Sequence, residues 1–168
     1  MKQFLPLLVF ATTTALAQAR LPTPTPTDDP HVLELTQNAN LMTVTYQVPA
    51  AARAQLARRA QASHWLPAHE ANEAAKLPEG GTLTVAWARP TAAQAAAKNF
   101  SLIILDGKGH ELQRAKLTSE AVEPLDLGGT LLYPQSAQVP LPHLLPTGAK
   151  VFVIEAPVSK RYEYLIRL

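Results

Sequence analysis

Between Asn99 and Leu117 the chain reads NFSLIILDGKGHELQRAKL, a pattern that predicts a β-hairpin. Phe100, Leu102 and Ile104 alternate with Ser101, Ile103 and Leu105, as side chains do along a strand. Both faces are largely apolar, which predicts a central strand covered on both sides or a strand at the core of a sandwich. Asp106-Gly107 and Lys108-Gly109 supply residues that tolerate the positive φ of tight turns. The return run, residues 110–117, mixes Leu112 and Leu117 with Glu111, Gln113, Arg114 and Lys116, the weaker alternation of a half-solvated strand. A calcium loop would need several carboxylates at fixed spacing, and Asp106 stands alone in this turn, so the run is read as a turn.

Other alternating runs predict strands to pair beside this hairpin. Residues 31–37 (HVLELTQ) and 41–48 (LMTVTYQV) flank Asn38-Ala39-Asn40, and the two are expected to form a hairpin of their own. In the second, Met42, Val44, Tyr46 and Val48 share a face. After Pro49 the character changes. Residues 50–63 (AAARAQLARRAQAS) are rich in strong helix formers, and Pro49 suits a first helical turn. Ala52, Leu56, Ala60 and Ser63 make only a thin apolar stripe, so this helix should lie lightly on the surface. Pro67 and Pro78 then bracket a polar, Ala-rich link. The whole insert runs to about thirty residues, a length at which connections are often functional or mobile.

Residues 82–89 (TLTVAWAR) predict a strand with Leu83, Val85 and Trp87 on one face, and residues 91–98 (TAAQAAAK) a short helix capped by Thr91. Residues 118–129 read as irregular. Residues 130–133 and 137–139 read as two short strands around Pro134, and residues 150–156 and 161–168 as the last pair. Many short strands with Gly and Pro turns predict an all-β protein, an antiparallel two-sheet sandwich. Leu145-Pro146-Thr147-Gly148 leading into Ala149-Lys150-Val151-Phe152, with Trp87 on an early strand and the apolar run 100–105, resembles immunoglobulin-like and fibronectin type III domains over residues 80–168. The chain departs from that pattern in lacking the immunoglobulin cysteine pair and in having Phe152 where a tyrosine is expected. The resemblance implies an Ig-like sandwich, here with a short helical insert at about residues 50–64, and by analogy a binding or spacer role; it carries no functional residues across.

Composition and termini set the context. A positive start (Met1-Lys2), an apolar run at residues 4–11 and small-x-small patterns ending at Ala17 and Ala19 predict a secretory signal peptide over residues 1–19, cleaved after Ala17 or Ala19. The expected destination is the periplasm or the medium of a bacterium. Residues 20–30 (RLPTPTPTDDP) predict an extended Pro/Thr-rich linker, and residues 31–168 a single domain. No stretch is apolar for long enough to predict a transmembrane helix. The formal charge is +2, and the Lys and Arg residues are scattered, which argues against a nucleic-acid partner. The chain has no cysteine, which removes disulfides, thiolate nucleophiles and Cys-ligated metals.

The remaining chemistry is sparse. His64, His69 and Glu70 suggest a metal or hydrolytic site, but a helical metal pair has its imidazoles three or four residues apart; here they are five apart with Pro67 between them. No GxSxG nucleophile turn or phosphate-binding glycine loop is present. Neither metal nor cofactor is expected. Trp65 and the pair Tyr162 and Tyr164 could form a stacking surface, but alternation places the tyrosines with Ile166 and Leu168 on a core face and leaves Trp65 as the better exposed candidate. The expected function is a non-catalytic envelope module that binds another envelope protein or serves a structural role, with Trp65, His64 and His69 as candidate surface. The alternatives are a module that binds cell-wall polysaccharide and a small hydrolase.

Overall fold

The computed structural model describes residues 34–35, 41–119, 123–156 and 160–165. The expected leader, the linker and the turn at 38–40 lie outside the described residues. The apolar run is strand β4 (Phe100–Leu105), and it pairs on one side with β5 (Glu111–Lys116) and on the other with β8 (Lys150–Glu155). Phe100, Leu102 and Ile104 are fully buried, whereas Ser101, Ile103 and Leu105 are half-buried, so β4 faces the core on one side. The turn after it closes on itself. The Asp106 carboxylate accepts the backbone N–H groups of Lys108 (2.8 Å) and His110 (2.9 Å). This is the side-chain mimicry of a turn that aspartate favours, and it occupies the acid that a calcium reading would need.

Two antiparallel sheets face each other. One has the order β1-β9-β8-β4-β5, with β1 at Glu34–Leu35 and β9 at Lys160–Leu165. The other has the order β2-β3-β7-β6, with β2 at Met42–Gln47, β3 at Thr82–Arg89, β6 at Leu125–Leu127 and β7 at Thr130–Pro140. Met42, Val44 and Tyr46 of β2, Leu83, Val85 and Trp87 of β3, and Ala137 and Val139 of β7 meet Phe100, Leu102 and Ile104 of β4 and Val151 and Val153 of β8 in one buried cluster. This is the alternation of the sequence converted into a two-layer core. Trp87 lies 4.7 Å from Phe100 between ring centroids, and its indole N–H donates to the carbonyl of Ala95. That carbonyl belongs to α3 (Ala92–Ala95), which Thr91 caps by accepting the N–H of Gln94, as expected.

Several expectations are corrected. The hairpin expected from the runs at 31–37 and 41–48 is not formed by their described strands: β1, Glu34–Leu35 of the first run, joins β9 in one sheet, and β2 joins β3 in the other. The β2–β3 register sets Met42 against Trp87, Val44 against Val85 and Tyr46 against Leu83, so β2 buries its whole apolar face on β3. Residues 118–129 are not wholly irregular, because β6 forms a hairpin with β7 across Gly128-Gly129, both at positive φ. The two short strands expected around Pro134 are one strand, β7. Pro134 lies opposite Ala88, whose N–H points the other way to the carbonyl of Leu41. That pair exchanges no hydrogen bonds, so β3 asks no N–H of Pro134, and the paired segment of β6 ends opposite Leu132. The helical insert is longer than expected: α1 spans Pro49–Ala62, and the link after Pro67 is a second helix, α2 (Pro67–Ala74). No helix among the described residues is long and apolar enough to cross a membrane.

Candidate functional site

The insert is a helical hairpin that buries little. Its sequence favours helix through alanine and arginine, and Pro occupies the first position of both helices. Ala60 is the one fully buried residue of α1, and α2 has none. The joint between them is closed by the backbone. The N–H of Trp65 donates to the carbonyl of Ala60 (2.9 Å) and that of His64 to the carbonyl of Gln61 (3.3 Å), the paired bonds of a Schellman cap. His64 is the left-handed residue of the cap, at φ 51°, where glycine is the common choice. We expect His64→Gly to stabilise the protein by about 1 kcal/mol, seen as a higher Tm; an unchanged or lower Tm would contradict this account of the joint.

The candidate residues therefore gather at the tip of the hairpin. His64 and His69 are exposed and Trp65 is half-buried. The Trp65 and His69 rings meet edge to face, with centroids 4.4 Å apart. Sequence reasoning missed Leu66, which is 75% exposed and the barest large apolar side chain among the described residues. Its signal was its position between a helix end and Pro67, where no apolar face exists to receive it. Glu70 lies in the first turn of α2, and His69 meets the indole. Among the described residues no group of three or more His, Asp or Glu side chains could hold a metal ion. Trp87 lies in the core, and Tyr162 packs partly buried against it. The Tyr164 side chain lies outside the described residues.

A second polar constellation lies at the sandwich end where β3 and β8 finish. Arg89 donates from Nε and Nη2 to the two oxygens of Glu155, both at 2.9 Å, and the Tyr162 hydroxyl donates to Glu155 Oε2 at 2.8 Å. The Arg89 guanidinium also donates to the carbonyl of Ala88 and lies 5.4 Å from the centre of the Phe100 ring. Hydrogen bonding from Arg89 is the main cause that holds the Glu155 carboxyl below its ordinary range. Burial, reinforced by hydrogen bonding to Glu155, raises the Tyr162 hydroxyl. Buried charges can mark active sites. Here both carboxylate oxygens are engaged by protein donors, and the cluster joins β3 of one sheet to β8 and β9 of the other. It acts as an inter-sheet pin.

Compared with known proteins, the chain matches no family model, and no curated protein or solved structure is significantly similar to it. The fold and its surface together define a two-sheet antiparallel β-sandwich that carries a helical hairpin.

Proposed function

We propose that the chain is an exported, non-catalytic β-sandwich of the immunoglobulin-like type that serves as a protein-interaction module of the cell envelope. Its contact surface is the tip of the helical hairpin. The observation that carries this reading is Leu66, 75% exposed beside the half-buried Trp65, on a pair of helices that contributes a single fully buried residue. A hairpin that does so little for the core has its reason outside the fold. Interface hot spots favour tryptophan, and exposed apolar surface beside it marks contact sites. The order β2-β3-β7-β6 facing β1-β9-β8-β4-β5 supports the Ig-like type, since it follows the A-B-E-D and G-F-C sheets of that architecture with two strands added, β5 at one edge and β1 at the other. Wall polysaccharide is the alternative partner, with Trp65 as its stacking residue. His69 already lies against that ring, which leaves it less free for a sugar.

Export is tested first: the protein recovered outside the cytoplasm should begin at Gln18 or Arg20, and a chain that retains Met1 would remove the envelope setting. With that protein as bait in envelope extract, crosslinking should capture one stoichiometric protein. Trp65→Ala combined with Leu66→Ser should lose it while Tm stays unchanged. Equal capture by the variant, or turnover of a substrate that a pocket substitution abolishes, would overturn the reading. Retention on wall material that depends on Trp65 would replace the protein partner with the polysaccharide.

A further inference from the structure

The sandwich end that holds α3 also carries an open cleft of about 750 Å3, within the range of small-molecule sites. Two features build it. The N–H of Leu117 donates to the carbonyl of Phe100 (3.1 Å), which carries the β4–β5 pairing one step beyond Ser101 and Lys116. Continued in the same sense, the chain before β4 passes the chain after β5. Lys98, on the short 3-10 helix Ala97–Asn99, thereby reaches the same cleft as Lys116 and Thr118. From the opposite sheet, β7 contributes Tyr133 and Gln135. Ala97 and the buried Leu117 form an apolar floor.

The charge of this cleft is one-sided. Lys98 and Lys116 both line it and both are exposed, and no carboxylate among the described residues lines it. Neither ammonium has an ion-pair partner among the described residues. Two cations that share a cleft repel each other, and an anion between them turns that repulsion into attraction. The neighbouring polar groups can all donate. The hydroxyls of Thr118 and Tyr133 make no hydrogen bond among the described residues. The Ser119 hydroxyl bonds Gln135 Oε1, which leaves the Gln135 amide nitrogen to donate outward. Ala92 and Ala96 extend the apolar floor of Ala97 and Leu117, which leaves room for the face of a sugar ring.

We infer that this cleft binds an acidic saccharide. The acid group bridges Lys98 and Lys116, and ring and hydroxyl oxygens accept from Thr118, Tyr133 and Gln135. The inference does not rest on the hairpin. A uronic acid and a sugar phosphate present the same chemistry, so both are probes. Titration calorimetry on the purified protein should show saturable binding of trigalacturonate, of glucose 6-phosphate, or of both, weakening as salt is raised, and no binding of neutral maltotriose. Lys98→Ala with Lys116→Ala should weaken binding at least about tenfold. Both side chains are exposed, so the variant folds. Tyr133→Phe should weaken binding without altering its salt dependence, and Trp65→Ala with Leu66→Ser should leave it unchanged. Absence of saturable binding by both acidic probes, equal binding by the double lysine variant, or inorganic phosphate binding as tightly as glucose 6-phosphate would overturn the inference.

Discussion

Glu155→Ala should cost the fold about 3–5 kcal/mol, the usual penalty for leaving half of a buried ion pair behind. Arg89 would lose both of its carboxylate bonds and Tyr162 its acceptor. The side chains of Arg89 and Glu155 are only 12% and 8% exposed, so water replaces little of what is lost. The pin also predicts the pH profile. The folded state holds the Glu155 carboxyl below its ordinary 4.5, so its contribution is present above that pH and is lost as pH falls through the depressed folded value. The Tyr162 hydroxyl is raised above its ordinary 10.0, so its contribution is present below that pH and is lost as pH rises through the folded value. Stability measured by denaturant unfolding across pH should therefore fall on an acid limb and on an alkaline limb. Glu155→Gln should flatten the acid limb, and Tyr162→Phe the alkaline one. An acid limb unchanged in Glu155→Gln would refute the assignment. Replacing Arg89 and Glu155 together by methionine and leucine should recover part of the loss, because an apolar pair of similar size leaves no charge stranded.

Gly80→Ala should be as damaging, at about 3 kcal/mol or more, beyond the common range for over-packing. A Cβ at Gly80 would lie 2.1 Å from the carbonyl oxygen of His143 and 2.6 Å from its nitrogen, and backbone cannot swing aside as a side chain can. The close approach is bonded on both sides. The N–H of Gly80 donates to the carbonyl of Leu141, the N–H of Leu141 donates to the carbonyl of Gly81, and the buried Tyr46 hydroxyl donates to the carbonyl of Gly80 at 2.8 Å. Gly107→Ala is the control, since a Cβ there meets nothing nearer than 3.8 Å; it should change stability by less than about 0.5 kcal/mol. Denaturant midpoints at constant m separate the two outcomes. Equal midpoints for both variants would show that the loop at His143 yields freely.

The hairpin at β4 and β5, the strand at β3, the cap at Thr91 and the helix after Pro49 were legible because each rests on local signals: alternation, turn residues and helix propensity over a few neighbours. Alternation also gave the apolar face of β3, so Trp87 could be set in the core before any strand was paired, whereas both faces of β4 read as apolar and only the packing chose Phe100, Leu102 and Ile104. By itself the sequence determined an all-β chain with a helical insert, and it removed cysteine chemistry. Pairing was another matter. Strands β1 and β2 are neighbours in the chain with a turn-like link, yet they enter different sheets. The partner of a strand is chosen by the apolar face it can cover, and the face that β2 covers, Leu83, Val85 and Trp87, lies far along the chain beyond both helices of the insert. The same holds for Pro134, which reads as a strand breaker until the direction of the Ala88 N–H is known. Among the candidate residues, His64 and Trp65 lie in the joint between the helices, whereas His69, read from the sequence as a loop residue, stands on α2; only the fold showed that helices frame this joint and that Leu66 is the side chain it exposes. The pin of Arg89 and Glu155, 66 residues apart, and the cleft that gathers Lys98, Lys116 and Tyr133 were decided by tertiary structure alone, because long-range electrostatics and concavity arise only where distant segments are brought to one end of the two sheets.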